Sequence, residues 1–320
     1  MTAQDVVIVT SRSFGSGRRD PTARLRAAGH EVIRGDHRHH GRALTEGLAR
    51  AVAWIAGTGP VTAEHVALAP RLRIVARYGV GTDAVDRVAL ARRDITLTNT
   101  PGANAAAVAD HTIGLTLAAL RGTVAGDRSV RGGAPIPPPG RELGSCTVGL
   151  IGLGAVGRAV QCRLAGFGSR IVAHDPFFTT PPEGVALLEL DELASAADVV
   201  SLHRPGAQRP IVDEQFIGRL PRGAVVINTS RAGLIDQSAL AAALVSGCVA
   251  AAGLDVHAVE PGAGSPLVDA PNVVLTPHVS GHTVDAIDRM GEMTASQVLS
   301  MIEGRTPEHV VPAPASEAGR

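Results

Sequence analysis

Apolar residues in this 320-residue chain fall in short continuous runs, separated by stretches in which apolar positions recur every three or four residues. From residue 148 onward, strand-like runs at 148–152, 171–175, 198–203, 224–229, 250–256 and 272–277 alternate with Ala/Leu-rich helical stretches. Uninterrupted apolar strands alternating with helices predict a parallel sheet covered on both faces. Six of them suit a doubly wound α/β domain of Rossmann type. Ahead of it lies a shorter series. Val6–Val9, Glu31–Arg34, Ala53–Ala56, Ile74–Ala76 and Ile95–Thr98 read as strands, with helical runs at Thr22–Ala28 and Leu44–Ala49, which predicts a second, smaller α/β unit. Asn104–Leu120 reads as a long helix leading into the larger domain, and the helical run Val284–Ile302 returns to the smaller one. The expected division is therefore 1–100 with 285–320, around 101–284. The stretch Gly132–Gly140, GGAPIPPPG, is a proline loop that neither a helix interior nor a central strand accommodates, and the tail from Pro312 reads as frayed.

Composition narrows the chemistry. The formal net charge is zero, with charges interspersed, so neither a nucleic acid nor a membrane surface is an expected partner. All 30 basic residues are arginine, which removes lysine Schiff-base enzymes and lysine-dependent phosphate loops. Cys146, Cys162 and Cys248 are odd in number and two of them lie in or near apolar segments expected to be buried, which points to reduced thiols in the cytoplasm. The opening MTAQDVVIVT lacks a basic leader, and no apolar run reaches membrane-spanning length. The tract His37-Arg38-His39-His40 resembles a metal-binding run, but no second ligand set accompanies it; it reads as a solvated loop, and no metal is expected.

The segment GLIGLGAVGRAV, Gly149–Val160, sets a Gly-x-Gly-x-x-Gly turn between an apolar strand and a helix. Gly152, Gly154 and Gly157 remove the Cβ atoms that would block a pyrophosphate or the packing beneath it, while amide N–H groups and the positive helix end face the ligand. The next strand ends in Asp175, about 20 residues on, where a carboxylate accepts from adenosine ribose hydroxyls. With no arginine beside it in Asp175-Pro176-Phe177, that acid predicts NAD over NADP.

Ligands of an open parallel sheet collect beyond the carboxyl ends of its strands. There the sequence places Arg231 in INTSRAGLID, Asp255 and Glu260 in GLDVHAVEP, and His278 in LTPHVSGH. Oxidising an alcohol needs a base for the hydroxyl proton, and the reverse reaction needs an acid; an imidazole serves both. A carboxylate beside it, Glu260, fixes its tautomer and favours its protonated form. The Arg231 guanidinium suits a substrate carboxylate held in two-point fashion, and Asp255 is placed to accept from a nicotinamide carboxamide. Each residue alone has a plainer reading: His278 as a loop histidine, Glu260 as a turn residue, Arg231 as a helix cap or the partner of Asp236. Their joint position favours chemistry. His203, His257 and His282 read first as structural.

These segments, in this order and spacing, resemble the D-isomer-specific 2-hydroxyacid dehydrogenase family over nearly the whole chain; RYGVGTDAVD (Arg77–Asp86) and NTPGANAAAVADHT (Asn99–Thr112) add to the likeness. The resemblance implies an NAD-binding domain inserted in a flavodoxin-like substrate domain, a cleft between them, a small 2-hydroxy or 2-keto acid as substrate, and a homodimer packed through the nucleotide domains. It makes Arg231, Glu260 and His278 the catalytic trio. Gly152, Gly154, Ala155, Val156, Gly157, Asp175, His203, Thr229, Asp255 and His278 become the cofactor-binding set. Backbone N–H groups of Tyr78, Gly79, Val80 and Gly81 cradle the substrate carboxylate, with Arg77 and Arg231 beside it. Arg77 would also reach a phosphate, which leaves 3-phosphoglycerate as an alternative substrate. Three departures stand out: Gly206–Pro210 replaces a threonine-containing stretch, the proline loop stands where a tryptophan is common, and Asp110 replaces Glu. The Asp110-His111 pair leans towards C-terminal-binding proteins, so an NAD-responsive corepressor-like binding protein is a further alternative. No regulatory extension is expected after the final helix, in contrast to long phosphoglycerate dehydrogenases.

Overall fold

Val6–Val9 (β1) is apolar and buried at all four positions, as a strand covered by helices on both faces requires. It pairs in parallel with Glu31–Arg34 (β2) on one side and Ala51–Ala56 (β3) on the other; Ile74–Arg77 (β4) and Thr96–Thr98 (β5) complete a sheet of order β2-β1-β3-β4-β5. That is the flavodoxin-like order. β3 starts two residues earlier than its apolar run predicts, because a register shift pairs Val6 with Ala51 but Val7 with Ala53. The structure, a computed structural model, describes residues 4–133, 135, 139–259 and 264–314. The chain divides into two compact units, Met1–Asn104 with His282–Arg320, and Ala105–Gly281. In the first unit the Val284–Ile302 helix is capped by Thr283, whose hydroxyl accepts from Ala286 N (3.2 Å), and it lays Ile287, Met290 and Val298 into the core. Tyr78 donates to Ile287 O (3.1 Å) and Thr98 to Gln297 Oε1 (2.9 Å), tying the returning helix to the sheet.

The winding of the sheet reverses between β1 and β3, which run parallel, and the loops after these strands enclose a polar knot. His39, expected in a solvated loop, is fully buried there. Its Nδ1–H donates to Pro60 O (2.7 Å), so Nε2 is the acceptor for the Thr10 hydroxyl (2.7 Å), which itself accepts from Trp54 Nε1–H (2.9 Å). His65 donates from Nε2 to His39 O (3.1 Å). The sequence gives no local sign of this, since the partners lie about 20 to 30 residues away or more. Burial pulls the His39 imidazole down to about 4, so the folded unit holds it neutral. An unfolded chain takes up that proton near pH 6.5. Between about pH 6.5 and 4 the unfolded state therefore binds more protons, and stability is expected to fall by about 1.4 kcal/mol per pH unit from this group, with no contribution to the slope above pH 6.5. Urea midpoints measured from pH 7.5 to 4.5 check this, with His39→Gln expected to flatten the dependence.

The second unit carries seven parallel strands, one more than the apolar runs predict. Thr147–Ile151 (β6), Arg170–His174 (β7), Val185–Leu187 (β8), Val199–Leu202 (β9), Ala224–Asn228 (β10), Val249–Leu254 (β11) and Val273–Leu275 (β12) lie in the order β12-β11-β10-β9-β6-β7-β8. The sheet is doubly wound about β6, the Rossmann arrangement with one added strand. The strand that the apolar runs do not show, β8, is three residues long at the sheet edge, too short for a periodic signal, while the strand added to the six-stranded order is β12. Of the cysteines only Cys146 is buried; Cys162 lies on the outer face of the Ala155–Ala165 helix and Cys248 in the bend before β11, and both are exposed. Among the described residues no helix is long and apolar enough to cross a membrane.

Candidate functional site

β6 runs into the glycine turn, and the turn is built for close approach. Gly152 has φ +104°, and a Cβ there would lie 2.5 Å from His203 O at the tip of β9; a Cβ on Gly157 would lie 2.1 Å from Gly152 O. Gly154 meets nothing within 4 Å, so the turn presents an open face ahead of the Ala155–Ala165 helix, whose first residues are Ala155, Val156 and Gly157. Asp175, at the end of β7, accepts from Leu153 N (2.8 Å) and Phe177 N (3.0 Å), which locks its carboxylate over the turn. On the other side of the reversal, His203 is buried with Nε2 on Ser201 Oγ (2.9 Å) and no partner for Nδ1 among the described residues. Burial pushes this imidazole down to about 3, so it stands neutral. An open glycine turn where the winding of the sheet reverses, a fixed carboxylate about 20 residues on and a buried imidazole with an unpartnered ring nitrogen after the neighbouring strand fit a dinucleotide.

The tips of β10 to β12 hold the remaining second-unit residues. Asn228 fastens the turn after β10, donating from Nδ2 to Arg231 O (2.8 Å) and accepting from Ser230 N (2.9 Å). Thr229 is buried against Thr112, hydroxyl to hydroxyl at 2.9 Å. Arg231 is partly exposed and donates to Ser230 O (2.8 Å), while Asp236 caps the following helix through Ser238 N and Ala239 N (both 3.0 Å). Glu260 lies outside the described residues.

Asp255, after β11, is fully buried. Its Oδ1 accepts from Thr276 Oγ1 (2.5 Å) and Val279 N (3.0 Å) and its Oδ2 from Ser280 N (2.8 Å), with His111 Nε2 3.5 Å from Oδ1. Burial alone would raise this carboxyl, but the donors from His111, Thr276, Ser280 and Val279 outweigh it and hold the group well below the usual carboxylate range. Because the Thr276 hydroxyl gives its proton to Asp255, it accepts from His111 Nε2–H (3.0 Å); Thr276 O in turn accepts from His257 Nε2–H (2.9 Å) and His278 N (3.0 Å). The Thr276–Ser280 turn is thus clamped on both sides of His278. His278 itself is exposed, with the left-handed φ of +54° that places its ring at the sheet's carboxyl edge. It stands two strands from Arg231, roughly 10 Å by strand spacing.

In the first unit the loop after β4 holds the other candidates, and one expectation changes. Arg77 is buried, and its guanidinium donates to the carbonyls of Gly57, Thr58 (3.2 Å), Gly59 (3.1 Å) and Gly81 (2.9 Å). It braces two loops and does not reach for a phosphate. Tyr78 N donates to Ala56 O (2.9 Å) and Gly79 N to Arg77 O (3.0 Å), so of the four amides in this loop only those of Val80 and Gly81 donate to nothing among the described residues. Burial pushes the Tyr78 hydroxyl up to about 12.

Reasoning from sequence passed over His111 and Thr276. The signal for His111 was a polar pair, Asp110-His111, interrupting an otherwise apolar helix, Ala105–Leu120. Asp110 pairs outward with Arg163 (2.6 Å) and His111 turns inward to Thr276.

Residues 113–280 match the sequence profile described as D-isomer specific 2-hydroxyacid dehydrogenase, NAD binding domain. D-3-phosphoglycerate dehydrogenase of Mycobacterium bovis is 40% identical over 251 residues, 76% of this chain and 48% of that protein. The chain therefore spans about half the length of that relative. Glyoxylate reductase of Korarchaeum cryptofilum is 38% identical over 266 residues, 79% of this chain and 80% of its own. The crystal structure of a Thermus thermophilus protein is similar throughout, with a TM-score of 0.86 at 36% identity over 96% of this chain and 100% of that one. With the doubly wound sheet, the glycine turn and the fixed acid after β7, these similarities show that the chain belongs to the D-isomer specific 2-hydroxyacid dehydrogenase family.

Proposed function

We propose that this protein interconverts a D-2-hydroxy acid and its 2-keto acid. The observation that carries the reading is the clamp that the buried Asp255 places on the Thr276–Ser280 turn, which holds an exposed imidazole at the carboxyl edge of a nucleotide-binding sheet. NAD, held by the glycine turn and Asp175, supplies the hydride acceptor for oxidation and, in its reduced form, the donor for reduction. His278 takes the hydroxyl proton during oxidation and returns it to the forming alkoxide during reduction, a role an imidazole fills in both directions. Glu260 is its proposed carboxylate partner. Arg231 supplies a guanidinium for the substrate carboxylate and the carbonyl oxygen. Asp255 serves chiefly by positioning, and its carboxylate is the proposed acceptor for a nicotinamide carboxamide.

With Arg77 engaged under its loop, an unphosphorylated 2-keto acid is the substrate class we place ahead of 3-phosphoglycerate. Purified protein given NADH is expected to consume glyoxylate, hydroxypyruvate or pyruvate, followed as loss of nicotinamide absorbance, with lower kcat/KM for 3-phosphohydroxypyruvate. Silence across the panel would overturn the enzymatic reading, and a preference for the phosphorylated acid would reverse the order. The protein is further proposed to act as a homodimer. The Thr123–Gly132 helix buries none of its residues within the chain and leaves Val130 84% exposed, a surface that a second copy would cover. Sedimentation is expected to give twice the chain mass, and Val130→Asp to shift the species towards a single chain.

A further inference from the structure

Asp175 is not the only charge at the adenosine end of the glycine turn. Leu153, between the first two glycines, gives its N–H to Asp175 Oδ2 (2.8 Å) and its carbonyl to Arg158 Nη1 (3.4 Å), so an acid and a guanidinium are tied to the two polar groups of a single residue. Arg158 comes from the first turn of the Ala155–Ala165 helix, and its guanidinium carbon lies 5.8 Å over the Phe178 ring. Phe178 packs on the domain core, three residues past Asp175, and fixes the guanidinium at that height. Among the described residues no carboxylate pairs with Arg158, and a guanidinium with one long hydrogen bond keeps most of its five donors for a ligand. The sequence around Asp175 shows no such cation, because it arrives from the preceding helix.

We infer that Arg158, stacked on Phe178, is a second specificity-determining residue for the dinucleotide, a ready partner for a ribose 2′-phosphate whose attraction is opposed by Asp175. The inference rests on the dinucleotide reading of the glycine turn. A carboxylate at this place accepts from the 2′-hydroxyl of NAD and repels the 2′-phosphate of NADP, whereas a nearby arginine accommodates that phosphate. This protein carries both, so its preference is a balance between two fixed charges, with NADPH disfavoured yet not excluded. Removing the acid tips the balance towards NADPH; removing the arginine tips it further towards NADH.

The test is equilibrium binding, followed by nicotinamide fluorescence or calorimetry, of NADH and NADPH to the wild type and to Asp175→Ser, Arg158→Ala, Arg158→Lys and the double variant Asp175→Ser/Arg158→Ala. The quantity read is the ratio of NADPH to NADH affinity, which a merely structural loss in the helix would not move, since both ligands share the turn. Asp175→Ser is expected to raise the ratio. Adding Arg158→Ala is expected to lower it about 10- to 100-fold, the size of effect that charge-assisted hydrogen bonds to a phosphate produce. In the Asp175 background Arg158→Ala is expected to lower the ratio as well, an arm that does not depend on the serine variant folding, and Arg158→Lys is expected to keep an intermediate ratio. An unchanged ratio on loss of Arg158, with NADH still bound, overturns the inference alone. Failure of the wild type to bind NADH overturns the dinucleotide reading and the inference with it.

Discussion

His278→Asn is expected to lower kcat by about two to four decades while NADH still binds, the range lost when a positioned general acid and base is removed. Asparagine is the cleaner replacement because residue 278 sits at φ +54°, a left-handed conformation that asparagine tolerates. Alanine there adds about 1–2 kcal/mol of backbone strain, so a loss in His278→Ala mixes chemistry with a displaced turn. Two controls separate the roles. Asp255→Asn keeps the imidazole but weakens the acceptor of Thr276, Val279 and Ser280, so it is expected to lower kcat and thermal stability together. His278→Asn is expected to lower kcat while the clamp is kept, since the bond from His278 N to Thr276 O belongs to the backbone. Stopped-flow turnover with NADH and a keto acid, beside an NADH titration of the same variants, checks these points; undiminished turnover in His278→Asn would sink the acid–base assignment.

The inner strands were legible because they are buried on both faces and so read as nearly continuous apolar runs; β1 and the Val284–Ile302 helix fall where the pattern puts them. β8 was not, since three residues at a sheet edge carry no period. The glycine turn and Asp175 were legible because their chemistry is local: backbone, helix end and acid lie within about 25 residues. What escaped depends on partners remote in sequence. His39 looks like one of a run of loop histidines until Thr10, Trp54 and Pro60 close around it. Arg77 has the right charge for a phosphate and directs it at four carbonyls, three of them in a loop about 20 residues earlier. Arg158 lies 17 residues before Asp175 and reaches its neighbourhood only through the Leu153 carbonyl and the Phe178 ring. In each case the residue type suggested a class of interaction, and the tertiary partner decided which member of the class was made.

The second large effect is expected at the glycine turn, where the three glycines should prove unequal. In Gly157→Ala the new methyl would sit 2.1 Å from Gly152 O, a backbone atom that cannot swing aside as a flexible side chain does, so the turn must open. NADH affinity is expected to fall by at least about two decades, because the amide N–H groups aimed at the pyrophosphate move with the backbone that carries them. Gly152→Ala meets His203 O at 2.5 Å and also carries the cost of φ +104°, so it is expected to destabilise the second unit as well as abolish binding. Gly154→Ala is the discriminating variant. Its φ of −62° is open to any residue and a Cβ there meets nothing within 4 Å, so the fold is expected to melt as the wild type does. Any loss of NADH affinity in Gly154→Ala then reports the methyl group against the ligand, and not a distorted turn. Fluorescence titration with NADH and thermal melts of the three variants decide the matter. If Gly157→Ala binds NADH as tightly as the wild type, the turn is a packing device and the dinucleotide does not approach it.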